Sequence, residues 1–190
     1  MVTYRQAGAD MLADYDTIPM LVQVESEFAV EWPDRGLGGA VLTEHRVDPY
    51  VKDLGKWEQM AGLPRRFDLS NWAFFLAYDG KTPVGGAAVA SRTDGVHMLG
   101  GRNDISVLWD LRVTPAYQRQ GIGQRLFDMA AGWSRRQGLR QMKIECQNTN
   151  VPACRFYHRQ GAVLQCIHAQ AYAAEPEVAH EVQLLWYLKL

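Results

Sequence analysis

Hydrophobic and polar positions along the chain follow two different spacings. Between residues 20 and 30 apolar and polar side chains alternate, which is the period of a half-buried strand. Residues 105–113 are rich in Val, Leu and Ile and form the most strongly strand-like segment. Between about residue 123 and Gly138 the apolar residues recur at helical spacing instead: Leu126, Met129, Ala130 and Trp133. The chain therefore predicts a protein that contains both strands and helices.

The remaining segments extend this order. Strands are also predicted over 40–47, 72–78, 84–91, 141–146, 163–171 and 181–188. Asp48 and Pro49 are typical of a helix N-cap and first turn, and the apolar spacing that follows predicts a helix that ends near Gly62. A further helix is predicted between Asn150 as its cap and Gly161. We therefore expect one α/β domain over residues 1–190, built around a mixed sheet.

Composition and charge narrow the class of protein. The 190 residues are 47% hydrophobic and 22% charged, with a net charge of −1, which is close to the average of soluble globular domains. A nearly neutral chain argues against a nucleic-acid partner. The N-terminal residues lack the features of a secretory signal, and no apolar run reaches the length of a membrane span. We therefore expect a cytoplasmic protein without a membrane partner.

The cysteines and histidines form no recognisable ligand pattern. There are three cysteines (Cys146, Cys154 and Cys166) and five scattered histidines, with no CxxC and no HExxH. Neither a disulfide framework nor a metal site is predicted. Cys146 and Cys154 are expected to be small buried hydrophobic residues.

The first chemical signal is a loop with the sequence Gln118-Arg119-Gln120-Gly121-Ile122-Gly123, which joins a predicted strand to a predicted helix. Glycines let the backbone approach a bulky group closely, and the start of a helix offers free N–H groups and positive partial charge. These features suit a phosphate or pyrophosphate, and Arg119 adds charge. The alternative is a tight turn that binds nothing.

Two known phosphate-binding patterns do not fit this loop. A nucleotide triphosphatase loop requires Gly-Lys-Ser/Thr, whereas this chain has Gly123-Gln124-Arg125. The dinucleotide fingerprint requires a third glycine where Leu126 stands, and a tight turn directly after the strand. The sequence therefore disfavours both a triphosphatase and a nicotinamide enzyme.

The run Leu111–Gly123 resembles the acetyl-CoA signature of the GNAT superfamily of N-acetyltransferases, in which a strand leads into V-x-P-x-x-(Q/R)-x-x-G-x-(G/A) and a helix. Residues Glu145–Tyr157, together with Gly161, resemble the second motif of the family, N-x-x-A-x-x-F-Y-x-x-x-G-F. The ending 181–187 is similar to streptothricin acetyltransferase-like members. The resemblance is specific over about residues 104–162 and weaker elsewhere.

This resemblance implies a GNAT fold, with a mixed central sheet of about seven strands, helices on both faces and a splay between the two central strands. It also implies acetyl-CoA as co-substrate. The backbone of Leu111, Arg112 and Val113 would hold the pantetheine arm as an added strand does. The pyrophosphate would lie against Gln118, Arg119, Gln120, Gly121, Ile122, Gly123 and Gln124. Asn150 would contact the cofactor arm, which is compatible with its role as a helix cap.

Catalytic roles follow from the same resemblance. Tyr157 would protonate the departing thiolate, although taken alone it is more typical of core packing. Asp110 and Glu145 are equally weighted as the general base acting through water, and a water chain without a dedicated base is a third alternative. Many relatives carry two consecutive acids on the central strand, where this chain has Trp109 and Asp110. Alternation predicts that these two side chains face opposite sides, and a structural role for Asp110 stays open.

The predicted reaction is direct acetyl transfer to a primary amine of a small molecule, such as an aminoglycoside-like or streptothricin antibiotic, with antibiotic resistance as the role. A protein or peptide amine is an alternative acceptor, and a non-catalytic acyl-CoA-binding module is an alternative of another class. Acidic residues near Glu58 are mixed with basic ones near Arg66, which dilutes the attraction expected for a strongly cationic acceptor. Tyr15 and Trp72 are candidates for the acceptor cleft or the core. A homodimer is expected by analogy alone.

Overall fold

Nine β-strands and three α-helices make up the computed structural model, which describes residues 1–190. The strands are β1 Val2–Ala7, β2 Leu21–Glu31, β3 Val41–Asp53, β4 Trp72–Asp79, β5 Thr82–Ser91, β6 Ile105–Val113, β7 Gln141–Gln147, β8 Val163–His168 and β9 Gln183–Lys189. The helices are α1 Leu12–Asp16, α2 Ile122–Arg136 and α3 Val151–Arg159, with short 3-10 turns that include Met60–Arg65 and Pro115–Tyr117.

Seven of the strands form one mixed sheet in the order β1-β4-β5-β6-β7-β9-β8, and β2 and β3 form a separate two-stranded sheet. The neighbouring pairs β1–β4, β4–β5 and β5–β6 are antiparallel, whereas β6 and β7 run parallel. The parallel step is the one that needs a crossover helix, and α2 supplies it. The predicted α/β class and the mixed sheet of about seven strands are therefore confirmed.

The chain divides into two compact units. The first comprises Met1–Leu21, Asp53–Ile144 and Leu188–Leu190, and the second comprises Val22–Lys52 and Glu145–Tyr187. The glycine-containing loop after β6 belongs to the first unit, and α3 belongs to the second. The description of all 190 residues as a single acetyltransferase domain stays a prediction.

Helices cover both faces of the sheet in the first unit. Consecutive residues of a strand point to opposite faces, and β5 carries two consecutive glycines that each admit a helix. A Cβ at Gly85 would lie 3.0 and 3.1 Å from side-chain atoms of Leu126 and Ile122 in α2, and a Cβ at Gly86 would lie 2.6 Å from the ring of Tyr15 in α1. This arrangement agrees with the predicted helices on both faces.

The central strand β6 is paired differently along its two edges. Val89 of β5 pairs with Leu108 and Ala88 pairs with Asp110, so Trp109 is an extra residue and forms a β-bulge. On the other edge, β7 pairs with Ile105–Leu108 alone. Residues 109–113 therefore have a partner strand on one edge only, as the predicted splay requires.

The helix predicted from Pro49 to about residue 61 is wrong. Residues 41–53 continue as β3, and only Met60–Arg65 form a 3-10 helix. The apolar spacing was misleading because Val51 and Trp57 are exposed and so do not mark one buried face. Pro49 is tolerated because a two-stranded sheet consists entirely of edge strands.

The contact between Gly86 and Tyr15 gives a prediction about stability. Gly86→Ala places a methyl group inside the Tyr15 ring, which cannot retreat because it is completely buried. We expect urea denaturation to show that the free energy of unfolding falls by about 1–3 kcal/mol. Gly62→Ala is the matched control, because no atom lies within 4 Å of its added Cβ. Equal stability of the two variants would show that Gly86 is not packed against the Tyr15 ring.

Candidate functional site

The loop between β6 and α2 is held in place by hydrogen bonds from its own side chains to its backbone. The side-chain amide of Gln118 donates to the carbonyl of Val113, and that of Gln120 donates to the carbonyl of Ala116, both at 3.1 Å. Gly121 is the N-cap of α2 with φ of +82°, a conformation that glycine adopts without strain. These contacts fix the path of the chain into the helix.

The start of α2 carries the positive end of the helix dipole. No side chain caps it, and no acidic residue lies in its first turn. Arg119 and Arg125 are both exposed beside it. The side chain of Gln124 is engaged with Asp128 at 2.9 Å. Uncapped N–H groups, the helix dipole and two cations together favour an anion.

The free edge of β6 leads directly into this loop. From Trp109 to Val113 the strand has no partner on the β7 side, and Leu111 and Val113 are half-buried. An unpaired strand edge offers backbone N–H and C=O groups to an extended ligand. Leu111, Arg112 and Val113 form this free edge, and the loop 118–124 follows them. Their contacts with the cofactor stay predictions.

The bulge corrects one expectation about β6. Trp109 and Asp110 were predicted to face opposite sides, which is wrong. Trp109 packs on Trp72 with ring centroids 5.1 Å apart, and Asp110 accepts a hydrogen bond from Tyr15 on the same face of the sheet. An extra residue in a strand breaks the alternation of side chains, so two consecutive residues reach one face.

Asp110 is a buried carboxylate held by several hydrogen bonds. Its oxygens accept from Arg112 Nε at 2.9 Å and from the Tyr15 hydroxyl at 2.8 Å, and Arg112 Nη2 also donates to it. Arg112 Nη1 donates to the carbonyl of Ile18 at 3.2 Å. Burial, followed by the charge of Asp110, raises the pKa of Tyr15. This network is what a structural role for Asp110 requires.

In the second unit, α3 carries two of the predicted site residues. Asn150 caps the helix, since its Oδ1 accepts from the backbone N–H of Ala153 at 3.2 Å. The predicted helix cap is therefore confirmed. Tyr157 is buried, and its ring lies edge-on to Phe156 with centroids 5.5 Å apart. Their contacts with a cofactor stay predictions.

Glu145, at the end of β7, has polar partners in the second unit. The Tyr172 hydroxyl and the Gln147 side-chain amide both donate to Oε1, the latter at 3.0 Å. Burial raises the pKa of Glu145, although these two hydrogen bonds oppose the shift. The ion pair between Lys52 and Glu181, almost fully buried, contributes charge to the same surroundings. Glu145 is therefore a carboxyl that holds a proton more readily than an exposed one.

Tyr172 was not predicted as a site residue, and the strand predicted over 163–171 is shorter than expected. The strand ends at His168, and Tyr172 lies in the turns that follow. Nothing in the spacing of residues 168–180 indicates a partner for Glu145. Burial raises the pKa of Tyr172, and the charge of Glu145 adds to the effect.

Two of the three thiols lie in the protein interior. Cys146 and Cys154 are both buried, with sulfur atoms 3.4 Å apart, and neither forms a disulfide. The hydrogen bond to Cys154, followed by burial, raises the pKa of Cys146 well above its usual value. A thiol that resists ionisation is a poor nucleophile. No group of three or more potential ligands could hold a metal ion.

A strand with one free edge that continues into a glycine-capped helix is a geometry that suits an extended, anionic ligand. The sequence matches the Acetyltransferase (GNAT) family over residues 40–162, and the chain belongs to this family. None of its helices has the length and apolar character needed to cross a bilayer.

Individual relatives agree with this assignment. Streptothricin acetyltransferase of Escherichia coli is 29% identical over 85 residues, which are 45% of this chain and 49% of that protein. The chain thus matches about half the length of this curated relative. The crystal structure of nourseothricin acetyltransferase superposes with a TM-score of 0.79 at 22% identity, covering 99% of this chain and 98% of that one. A Bacillus anthracis protein described as a streptothricin acetyltransferase, solved with acetyl coenzyme A, gives 0.77 at 20% identity over both complete chains.

The Asp110 network gives a second prediction about stability. Asp110→Asn leaves the buried guanidinium of Arg112 without a counter-charge, which costs about 3–5 kcal/mol in the free energy of unfolding. Asp104→Asn is the matched control, because its ion pair with Arg102 is exposed, and such pairs contribute about 0–1 kcal/mol. Denaturant titrations of both variants check this. If Asp110→Asn is no less stable than Asp104→Asn, Asp110 is not the structural anchor of β6.

Proposed function

We propose that this chain transfers the acetyl group of acetyl-CoA directly to a primary amine of a small molecule, and that residues 1–190 act as one domain. The observation that carries the proposal is the free edge of β6, which runs from Trp109 to Val113 and continues into the uncapped start of α2. An edge of this kind followed by an anion site matches the two ends of one ligand.

The chemistry of coenzyme A fits this platform. Its pantetheine arm is an extended chain with two amides, which can pair with the backbone of Leu111 and Val113 as a short added strand. Its pyrophosphate then meets the N–H groups of Gly121 to Gly123 and the charge of Arg119. Acetyl-CoA is a cytoplasmic metabolite, which supports a cytoplasmic location.

The roles of the reacting groups follow from balancing the step. The neutral acceptor amine attacks the thioester carbonyl carbon with its nitrogen lone pair, and the proton that this nitrogen then sheds passes through water to the general base. A bulge frees backbone groups from the ladder, and an N–H near Trp109 is suited to the oxyanion that develops. The carbon–sulfur bond breaks, and Tyr157 gives its proton to the thiolate; the proton held by the base then returns through solvent to the Tyr157 phenolate. No covalent enzyme intermediate is required, which agrees with the raised pKa of Cys146.

Glu145 is the better candidate for the general base. Asp110 already accepts hydrogen bonds from Arg112 and Tyr15, so its oxygens are engaged in holding the fold. Glu145 uses Oε1 for both of its hydrogen bonds, which leaves Oε2 for a water. Its raised pKa brings it nearer to the operating pH of a general base.

The acceptor class is inferred from the relatives. Two of the similar proteins are streptothricin or nourseothricin acetyltransferases, so an amine-bearing antibiotic is the first acceptor to test, with antibiotic inactivation as the role. The competing outcomes are transfer to a protein amine and no transfer to any acceptor.

The test combines binding with turnover. Calorimetry with acetyl-CoA measures binding, and release of free thiol measures transfer to a panel of streptothricin, polyamines and lysine peptides. We expect binding, with thiol release for small amines. Tyr157→Phe is expected to keep the binding and to lose about 10²-fold or more in kcat. Binding without thiol release from any acceptor would indicate an acyl-CoA-binding module, and no binding would refute the proposal.

The pH profile tests Glu145. A base must be deprotonated, so activity rises with pH through the pKa of Glu145, and a raised pKa moves this acid limb above the range of an exposed carboxyl. We expect Glu145→Gln to lower kcat/KM by about 10²-fold or more and to abolish the limb. Glu175→Gln, at an exposed glutamate of the same unit, is expected to change neither. An acid limb that persists in Glu145→Gln would assign the base elsewhere.

A further inference from the structure

Trp109 belongs to a cluster of aromatic rings beside β6. Trp109 is half-buried. Phe67 meets it edge-on with centroids 5.5 Å apart, and the buried Trp72 supports both rings, at 5.1 Å from Trp109 and 5.7 Å from Phe67. The faces of such rings carry negative partial charge and attract cations.

A cation of the chain itself already lies on this cluster. The guanidinium carbon of Arg66 is 5.0 Å from the centroid of Phe67 and 6.0 Å from that of Trp109. Its Nη1 donates to Glu58 at 2.8 Å. A carboxylate and two aromatic faces thus converge on one guanidinium, which is the set of groups that recognises an organic cation.

The two partners of this ion pair differ in burial, since Glu58 is less exposed than Arg66. The side chain of Glu58 is 23% exposed and that of Arg66 is 51% exposed. Burial raises the pKa of Glu58 because desolvation disfavours its negative charge, and the nearby Arg66 opposes this shift. Because half of the Arg66 side chain is exposed, water screens its pair with Glu58, and another cation can replace Arg66.

The frame around this cluster is fixed to the first unit. The 3-10 helix that precedes Arg66 is anchored by Asp16, whose carboxylate accepts from the backbone N–H groups of Met60 and Ala61 at 2.7 and 2.9 Å. Trp109 is the bulge residue of β6 and begins the free edge of that strand. The aromatic cluster therefore stands beside the backbone on which the proposed function depends.

We propose that Glu58, Phe67 and Trp109 form an acceptor subsite for a second, non-reacting cationic group, and that Arg66 occupies this subsite as a displaceable internal cation. The inference rests on the proposed function, because it names the class of acceptor: a primary amine that also carries a guanidinium or ammonium group. Arg66 excludes water from the subsite when no acceptor is bound and leaves when one enters. Neutral-tailed amines gain nothing from it.

Two matched acceptors test the subsite by turnover. 4-Aminobutylguanidine and 4-aminobutylurea have the same length and reacting amine and differ in the charge of the tail. We expect the wild type to prefer the guanidine by about tenfold in kcat/KM, mostly through KM. Glu58→Gln is expected to bring this ratio close to one. Arg66→Gln is expected to raise it, because the internal competitor is gone.

Charge-matched controls keep the comparison specific. Asp104→Asn and Arg102→Gln remove the same charges from an exposed pair of the first unit, and both are expected to leave the ratio unchanged. A ratio that survives Glu58→Gln would overturn the proposal. A ratio that falls in Arg66→Gln would also overturn it, since Arg66 would then be a contact for the acceptor rather than its competitor.

A binding measurement separates this inference from the proposed function. The indole N–H signal of Trp109, assigned through Trp109→Phe, is followed in NMR spectra during titration with butylguanidinium or butylurea, neither of which has an amine that can be acetylated. We expect a shift with butylguanidinium alone, and its loss in Glu58→Gln. This result can hold even if no amine is acetylated, whereas equal shifts with both compounds would refute the cationic subsite.

Discussion

The buried ion pair between Asp110 and Arg112 is the interaction on which the first unit depends. Both side chains lie on one strand, two residues apart, and each is almost completely buried. Arg112 also reaches the carbonyl of Ile18, and Asp110 binds the hydroxyl of Tyr15. The pair thereby connects the N-terminal segment to the central strand that carries the free edge. An isolated charge at either position would be strongly unfavourable, so the two residues stabilise the fold only together.

This constraint separates the two carboxylates that the sequence left equal. Asp110 has its charge committed to the fold, whereas Glu145 keeps one oxygen free of protein hydrogen bonds. A chain that uses its strand acid to hold β6 needs another group, or water, to accept a proton. The aromatic residue at position 109, where many relatives have an acid, then has a different use: it offers a surface for a cation instead of a charge for a proton.

Local patterns predicted the part of the fold that local geometry determines. The strand 105–113 has the predicted bounds, and the turn from strand to helix around Gly121 is confirmed, because glycine and helix spacing are properties of neighbouring residues. The bulge at Trp109 was missed, since it depends on which residues of β5 lie opposite. The helix predicted after Pro49 is wrong because apolar spacing alone does not reveal that Val51 and Trp57 are exposed. Asp110 and Arg112 did leave a signal: opposite charges two residues apart in an apolar strand share a face.

The adjacent glycines of β5 have a consequence for how this protein can change. Gly85 meets the side chains of α2 and Gly86 meets Tyr15, on opposite faces of one strand. A larger residue at either position would need a simultaneous retreat of the layer that it faces. Natural variation in this dipeptide should therefore be rare and should occur together with smaller side chains in the facing helix. Substitutions are expected to be tolerated best in loops remote from Gly85 and Gly86.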